Sequence, residues 1–372
     1  EASRRLISCH RQSDTVARLG GDEFTVILPD MARGPHAERV AKEVLDQLAR
    51  SFVLEGQEVY ISGSVGVTVY PDDADNLEDL LKNADSAMYR AKTDGRNAYR
   101  FFTPDMHAEA QERMELEKDL HKALERDELI IHYQPIIDLK DGRLIGAEGL
   151  LRWKHKQRGY VSPSLFVPVA EEIGLIAKMT EWAMHTACQQ AKIWREREET
   201  RDFTISMNLS CTRCRELSTD SIIEEVLRET GLPPDALVLE VTENILSEDE
   251  ERAMAMLQHL RKQGVRLWLD DFGTGQSSLS VLKKLPVNGV KIDRAFIPDA
   301  MQDHETKVLV EAIISLASSL NREVIGEGVE SVEQGLFLLD HGCYMAQGYF
   351  FGRPLPSHEF DDLIGENFAV RA

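Results

Sequence analysis

Asp270 and Asp271 stand side by side where a largely apolar stretch, Val265–Leu269, gives way to the glycine-rich run Phe272-Gly273-Thr274-Gly275. Adjacent carboxylates at such a junction suit a cation, and the same layout recurs along the chain. Glu148 follows Leu144–Ala147, Asn208 follows Phe203–Met207, and Glu240 follows Leu237–Leu239. Lys291 follows Gly289-Val290, and Glu327 follows Glu323–Gly326. Polar groups collected at the carboxyl ends of successive strands mark the active-site face of a (β/α) barrel. Strands of such a barrel are buried on both faces, so a charge there needs a partner or a metal.

Glu148, Asn208, Glu240, Asp270 and Asp271 are all oxygen donors. Oxygen-only sets favour Mg²⁺, Mn²⁺ or Ca²⁺ over zinc. Four carboxylates and an amide are more than one Mg²⁺ needs from protein. A pair of metals, Mg²⁺ or Mn²⁺, sharing an aspartate explains the surplus, and such a pair suits in-line displacement at a phosphodiester. Lys291 could stabilise developing negative charge or orient the attacking hydroxide. Glu327 could hold the second metal or take a proton from water. Arg152, four residues past Glu148, could fork a phosphate bidentately. Singly, each has a structural explanation: a strand-end glutamate is more often an ion-pair partner, and Lys291 could pair with Asp293 or with a barrel acid. Their joint placement at one end of different strands is what points to chemistry.

The elements that must position these groups alternate from Leu129 onward. Strands are expected at 129–137, 144–151, 203–209, 237–241, 265–269, 289–292, 323–326 and near 344–347. Helices are expected at 164–177, 181–197, 220–229, 248–263, 276–284, 305–320, 332–339 and 357–363. That rhythm predicts a mostly parallel sheet closed into a TIM-like (β/α) barrel. The turn Lys140-Asp141-Gly142 between the first two strands predicts an antiparallel opening pair. Ahead of the barrel, strands are expected at 15–19, 24–28, 60–69 and 98–102, and helices at 36–51 and 77–93. A charged amphipathic helix over 105–126 is suited to link two domains. The expected division is 1–104, a linker helix over 105–127, and a barrel over 128–372.

The 372 residues suit two domains, and 42% hydrophobic residues suffice for a sizeable core. The net charge of −21 argues against a sequence-independent grip on nucleic acid. No apolar run reaches the roughly 18 residues needed to span a bilayer, and no signal peptide is visible. The chain opens inside what reads as a helix, so a longer protein is expected, with upstream sensory or membrane domains as candidates. Five cysteines, an odd number, point to a reducing, cytoplasmic setting. Cys211 and Cys214 form a lone CxxC, read as incidental thiols.

Residues 129–365 resemble the EAL-domain family of cyclic di-GMP phosphodiesterases. The matching stretches are Tyr133-Gln134-Pro135, Glu148-Gly149-Leu150-Leu151-Arg152-Trp153, Asn208-Leu209-Ser210, Glu240-Val241-Thr242-Glu243, Asp270–Gly275, Lys291-Ile292-Asp293, Glu327-Gly328-Val329-Glu330 and Gln347-Gly348-Tyr349. The resemblance implies metal ligands at Glu148, Asn208, Glu240, Asp270 and Asp271, and catalytic groups around the attacking water at Lys291 and Glu327. It implies substrate contacts at Gln134, Arg152, Glu330 and Gln347, and an anchor for the 270–275 loop at Glu243. Three positions depart from the family: Gly149 where it has alanine, Gln276 where it has tyrosine, and Lys156 where it favours proline. None is a presumed ligand.

Residues 1–102 resemble the carboxyl-terminal part of a GGDEF diguanylate cyclase domain, a partial α/β sandwich. Gly20, Gly21, Asp22, Glu23 and Phe24 spell the signature. Arg11 and Asp14 match the family's inhibitory product-binding motif, a second cyclic di-GMP site, and Lys92, Gly95, Arg96 and Asn97 match its phosphate-contacting end. The resemblance implies GTP or cyclic di-GMP as ligand of this part and a homodimer as the assembly. The expected activity is hydrolysis of cyclic di-GMP to linear pGpG with two Mg²⁺ or Mn²⁺ ions per barrel. The alternatives are a non-enzymatic cyclic di-GMP receptor and, in the longer protein, a net diguanylate cyclase.

Overall fold

The computed structural model describes residues 1–11, 13–29, 35–54, 56–209, 219–246, 250–273 and 279–370. The chain divides into two compact units, Glu1–Lys118 and Asp119–Ala372, with the division inside a helix over Pro104–Ala123. Asp127, with φ +53°, turns the chain out of that helix into the barrel.

The amino-terminal unit holds helices Ala2–Ser8, Pro35–Ala49 and Leu77–Thr93. Its strands form three two-stranded sheets among the described residues. β1 (Thr15–Gly20) and β2 (Glu23–Ile27) are antiparallel, as are β3 (Phe52–Leu54) and β4 (Gln57–Val59), while β5 (Ser64–Val67) and β6 (Ala98–Phe101) are parallel. Leu6, Val40 and Val44 form a small core, joined by Val16, Phe24 and Val65. The Asn76 side chain caps the Leu77–Thr93 helix by accepting from Asp79 N–H. That helix lies so close on β5 that a Cβ at Gly66 would sit 1.9 Å from the Ala84 carbonyl oxygen. The single strand expected over 60–69 is corrected to β5 alone, preceded by the β3–β4 hairpin. Its first half alternates in sequence, but Tyr60 is 71% exposed and Ile61 is exposed too, so among the described residues no burial rewards a strand there.

The second unit is built on β7 (Leu129–Asp138), β8 (Arg143–His155), β9 (Gly159–Val161), β10 (Thr204–Asn208), β11 (Leu237–Val241), β12 (Arg266–Phe272), β13 (Gly289–Ile292), β14 (Glu323–Gly326), β15 (Met345–Gln347) and β16 (Leu355–Pro356). Eight of these close into a barrel in the order β7-β15-β14-β13-β12-β11-β10-β8, with β7 paired back to β8. β7 is antiparallel to both neighbours, and the other barrel pairings are parallel. Gly142, at φ +73°, completes the turn that makes the opening pair a hairpin. The short β9 and β16 extend β8 and β7. The two helices expected over 164–177 and 181–197 are both present with an earlier boundary: Pro163–Glu172 ends before Gly174 (φ +76°), and Ile176–Arg195 begins at once.

The barrel wall separates two apolar layers. Outside, Ile205, Leu239, Leu267 and Val290 pack under helix residues such as Ala187, Leu257 and Ile314. Inside, Ile136, Val238, Trp268 and Ile325 form a plug with Ile145 and Met345. Gly289 makes room for this plug, since a Cβ there would lie 2.7 Å from Trp268 Nε1. Strand side chains repeat their face every second residue. Two residues from Val238, Trp268, Ile325 and Met345 are therefore Glu240, Asp270, Glu327 and Gln347. On antiparallel β7 the step from Ile136 runs backward, to Gln134. The apolar plug is thus the floor under a polar layer.

Candidate active site

Lys291 sits at the centre of that polar layer and is 1% exposed. Its ammonium lies 2.5 Å from Glu327 Oε1, 2.7 Å from Glu240 Oε2, 3.3 Å from Glu148 Oε2 and 3.7 Å from Asp270 Oδ1. The four acids come from β8, β11, β12 and the turn after β14. Asn208, in register with Glu240 on the adjoining strand, donates from Nδ2 to Glu148 Oε1 at 2.7 Å. Gln347 Nε2 donates to Glu148 Oε2 at 2.7 Å and to Gln134 Oε1 at 2.9 Å. Gln134 Nε2 in turn donates to the Gly352 carbonyl at 3.3 Å. Glu148 is therefore placed by groups from several strands, and Lys291 ties it to Glu240, Asp270 and Glu327.

One ammonium does not balance four carboxylates. Burial opposes ionisation of Glu148, but Lys291, Gln347 and Asn208 outweigh it and hold its carboxyl below the usual range. Burial and the charge of Glu148 push Glu240 well above that range, against the pull of Lys291. Burial pushes Glu327 up to about 7; Lys291 opposes this, and Glu148 and Asp270 add to it. Lys291 itself stays charged: burial works against it, and Glu148, Glu240, Glu327 and Asp270 overcome that. The layer carries an acidic excess at the bottom of a water-poor site.

Asp271 is set apart by a β-bulge. Leu269 pairs with Val290 and Phe272 with Ile292, so β12 carries one extra residue between them. Asp271 takes φ +54°, a left-handed conformation that aspartate tolerates better than most side chains. Its N–H donates to Asp270 Oδ1 at 3.0 Å. Partial desolvation, Asp270 and a hydrogen bond with Asp293 push its carboxyl up to about 6. Asp293 was passed over as a site residue, although the run Lys291-Ile292-Asp293 places it on the face shared with Lys291.

The set fits a hard divalent cation. Glu240 Oε1 is buried and has no hydrogen-bond partner among the described residues. An orphaned carboxylate oxygen amid excess negative charge, with oxygen donors all round, is what such an ion satisfies. Among the described residues no three acidic, imidazole or thiol groups are gathered closely enough to grip an ion as they stand, because Lys291 lies between the acids.

The remaining expected residues are placed as follows. Arg152 faces the same side of β8 as Glu148, is half-buried, and is steadied by donating from Nη1 to the Leu151 carbonyl at 2.9 Å. Glu330 is exposed at the turn before helix Val332–Asp340, and its N–H donates to Gln334 Oε1 at 2.6 Å. Glu243 opens a short 3-10 turn after β11. Thr274, Gly275 and Gln276, which its anchoring role concerns, lie outside the described residues, as do Cys211 and Cys214. In the amino-terminal unit, Gly20, Gly21, Asp22, Glu23 and Phe24 form the β1–β2 turn. Gly21 there has φ +52°, and the Asp22 and Glu23 side chains are exposed. The Asp14 carboxylate accepts from the Arg11 backbone N–H at 2.8 Å, and the Asp14 N–H donates back to the Arg11 carbonyl at 3.0 Å. The pair is a backbone-closed turn that leaves the Arg11 side chain exposed.

Comparison with known proteins follows the same division. A family model described as the EAL domain matches residues 117–354, and one described as the diguanylate cyclase GGDEF domain matches residues 1–98. The bifunctional diguanylate cyclase/cyclic di-GMP phosphodiesterase MucR of Pseudomonas aeruginosa is 40% identical over 96% of this chain and 52% of its own length. The cyclic di-GMP phosphodiesterase PdeR of Escherichia coli is 35% identical over 97% of this chain and 54% of its own length. The chain thus spans about half the length of these relatives. The solved PaMucR phosphodiesterase in complex with c-di-GMP is 39% identical and covers 66% of this chain and 99% of its own, with a TM-score of 0.63.

Proposed function

The chain belongs to the EAL-domain family, with a GGDEF-type domain ahead of the barrel, and from that premise we propose that the barrel hydrolyses cyclic di-GMP to linear pGpG. The observation that carries this reading is the buried Lys291 ammonium, ringed by Glu148, Glu240, Asp270 and Glu327 at one end of the barrel. We assign 1–104 to the GGDEF part, 105–127 to the linker and 128–372 to the phosphodiesterase, working as a homodimer.

Glu148, Asn208, Glu240, Asp270 and Asp271 would hold two Mg²⁺ or Mn²⁺ ions. When bound, these supply Lewis-acid activation of water and charge stabilisation at phosphorus. The chain's own groups do the rest. Glu327, with its carboxyl pushed up to about 7, is matched to accepting a proton near neutral pH. Lys291 places a fixed positive charge where negative charge develops on the phosphoryl oxygens. Arg152 sits up the strand from Glu148 and offers its planar fork to a phosphate. Gln134 and Gln347 form a chain that orients Glu148, which the ions must find in place. Glu330 contacts the substrate and Glu243 anchors the 270–275 loop. In the amino-terminal part, Asp22 and Glu23 face GTP or cyclic di-GMP, and Arg11 with Asp14 forms a second cyclic di-GMP site.

Mixing the chain with cyclic di-GMP and saturating Mg²⁺, followed by nucleotide chromatography, tests the reading. The expected product is pGpG. Tight binding without product would leave a receptor instead.

A further inference from the structure

Gly149 and Met207 are paired in register on β8 and β10. Each is the chain neighbour of one partner in the Glu148–Asn208 hydrogen bond. Successive strand side chains take opposite faces, so positions 148 and 208 face the site while 149 and 207 face the helix Ile176–Arg195. A Cβ at Gly149 would lie 2.4 Å from Met207 Sδ, 3.5 Å from Ile131 Cγ2 and 3.6 Å from Ala187 Cβ. Met207 and Ala187 are both buried. The thioether therefore fills the place that a side chain at 149 would need. Glycine in mid-strand is otherwise unfavourable, so its presence at 149 calls for a packing reason, and Met207 supplies one.

We propose that Gly149 and Met207 form a size-matched positioning pair that sets the spacing of β8 against β10 and so holds the Glu148–Asn208 bond in the cation site. The pair touches neither substrate nor ion and acts through its two chain neighbours. A methyl at 149 must displace the sulfur. Ile131 and Ala187 stand at ordinary contact distance from that methyl and need not move, so the clash falls on Met207, whose buried thioether has to find other space and loads the β8–β10 pairing. Those strands carry Glu148 and Asn208. Replacing Gly149 by alanine and Met207 by valine together nearly conserves volume, and such swaps are the best tolerated in a packed core.

The inference rests on the proposed cation site, and its test reads that site without requiring turnover. Mn²⁺ affinity is measured by electron paramagnetic resonance on the full chain without nucleotide, for wild type, Gly149→Ala, Met207→Val and the double variant. The kcat and KM for cyclic di-GMP are measured alongside, well below the melting temperature. Gly149→Ala should weaken Mn²⁺ binding about 10-fold, the scale of changes just behind a metal's ligands, and lower kcat more than it raises KM. The double variant should recover to within about 3-fold of wild type, as expected for coupled neighbours. Unchanged Mn²⁺ affinity in Gly149→Ala overturns the pair, and so does a loss that the double variant fails to recover. A merely structural role would lower the melting temperature and leave the affinity of the folded protein alone. If Gly149→Ala does not fold, Met207→Val decides: weaker Mn²⁺ binding supports the pair and unchanged binding overturns it. A wild type that binds Mn²⁺ but makes no pGpG sinks the hydrolase reading while these affinities still decide the pair. A wild type that binds no Mn²⁺ sinks both.

Discussion

Asp22-Glu23 and Asp270-Asp271 are both acidic pairs close to glycine, and the surroundings make them different objects. Asp22 and Glu23 stand exposed at the tip of a two-stranded hairpin. Asp270 and Asp271 stand at the rim of a closed eight-stranded barrel, beside a buried lysine and two buried glutamates. In the hairpin, both side chains are exposed and water screens each charge. In the barrel, Glu148, Glu240, Asp270 and Glu327 are desolvated around Lys291, which arrives from another strand, while Asp271 at the rim is only partly so. Carboxylates become chemically useful when a closed architecture lets their protonation and position be set by neighbours. The predictions below test that contrast, from the largest effect to the smallest.

Lys291→Ala should abolish measurable hydrolysis and cost about 3–5 kcal/mol of stability, because removing one partner of a buried charge set leaves the others unpaired. Thermal denaturation should show added Mg²⁺ raising the melting temperature of this variant more than that of wild type, since the ion then replaces the lost charge. Equal shifts would mean that Lys291 and the ion do not share the same acids.

Glu327→Gln should lower kcat about 10²-fold, with KM little changed, on the scale of a lost general base. Amide retains the shape and removes a charge from the acidic excess, so the melting temperature should hold or rise. Steady-state kinetics with cyclic di-GMP and Mg²⁺ checks this; near-normal turnover would remove Glu327 from the chemistry.

Asp271→Gly should stabilise the apo protein by about 1 kcal/mol, since glycine adopts φ +54° without steric cost. It should also weaken divalent-ion binding by removing a donor. Denaturant titration and an ion titration on the same sample read the two effects. A variant that loses stability would show that the bulge relies on the carboxylate.

The smallest effect is expected at the hairpin. Replacing both Asp22 and Glu23 by alanine should shift stability by less than about 0.5 kcal/mol and leave barrel turnover unchanged. A loss of several degrees in melting temperature would show that the hairpin acids are held by neighbours after all.

Much of this was readable in order along the chain. Strand rhythm gave the barrel, Gly142 gave the antiparallel opening pair, and a polar residue at each strand end gave Glu148, Asn208, Glu240 and Lys291. These are local signals: an apolar run, a turn residue and a two-residue alternation need no knowledge of distant partners. Other features belong to the assembled molecule. Tyr60 and Ile61 alternate like a strand yet stay exposed among the described residues. The bulge at Asp271 exists because β12 must match β13 on both sides of an extra residue. Sequence marks Lys291 as a strand-end cation but not which acids surround it, since those arrive from β8, β11, β12 and the turn after β14. Gly149 reads as a departure from a signature until Met207 is found in the vacated space. Periodicity and turn chemistry are properties of neighbouring residues, and they determined the elements. Charge pairing and packing depend on closing the barrel, which brings Glu148 beside Gln347 across 199 positions of sequence, and only the tertiary structure decided them.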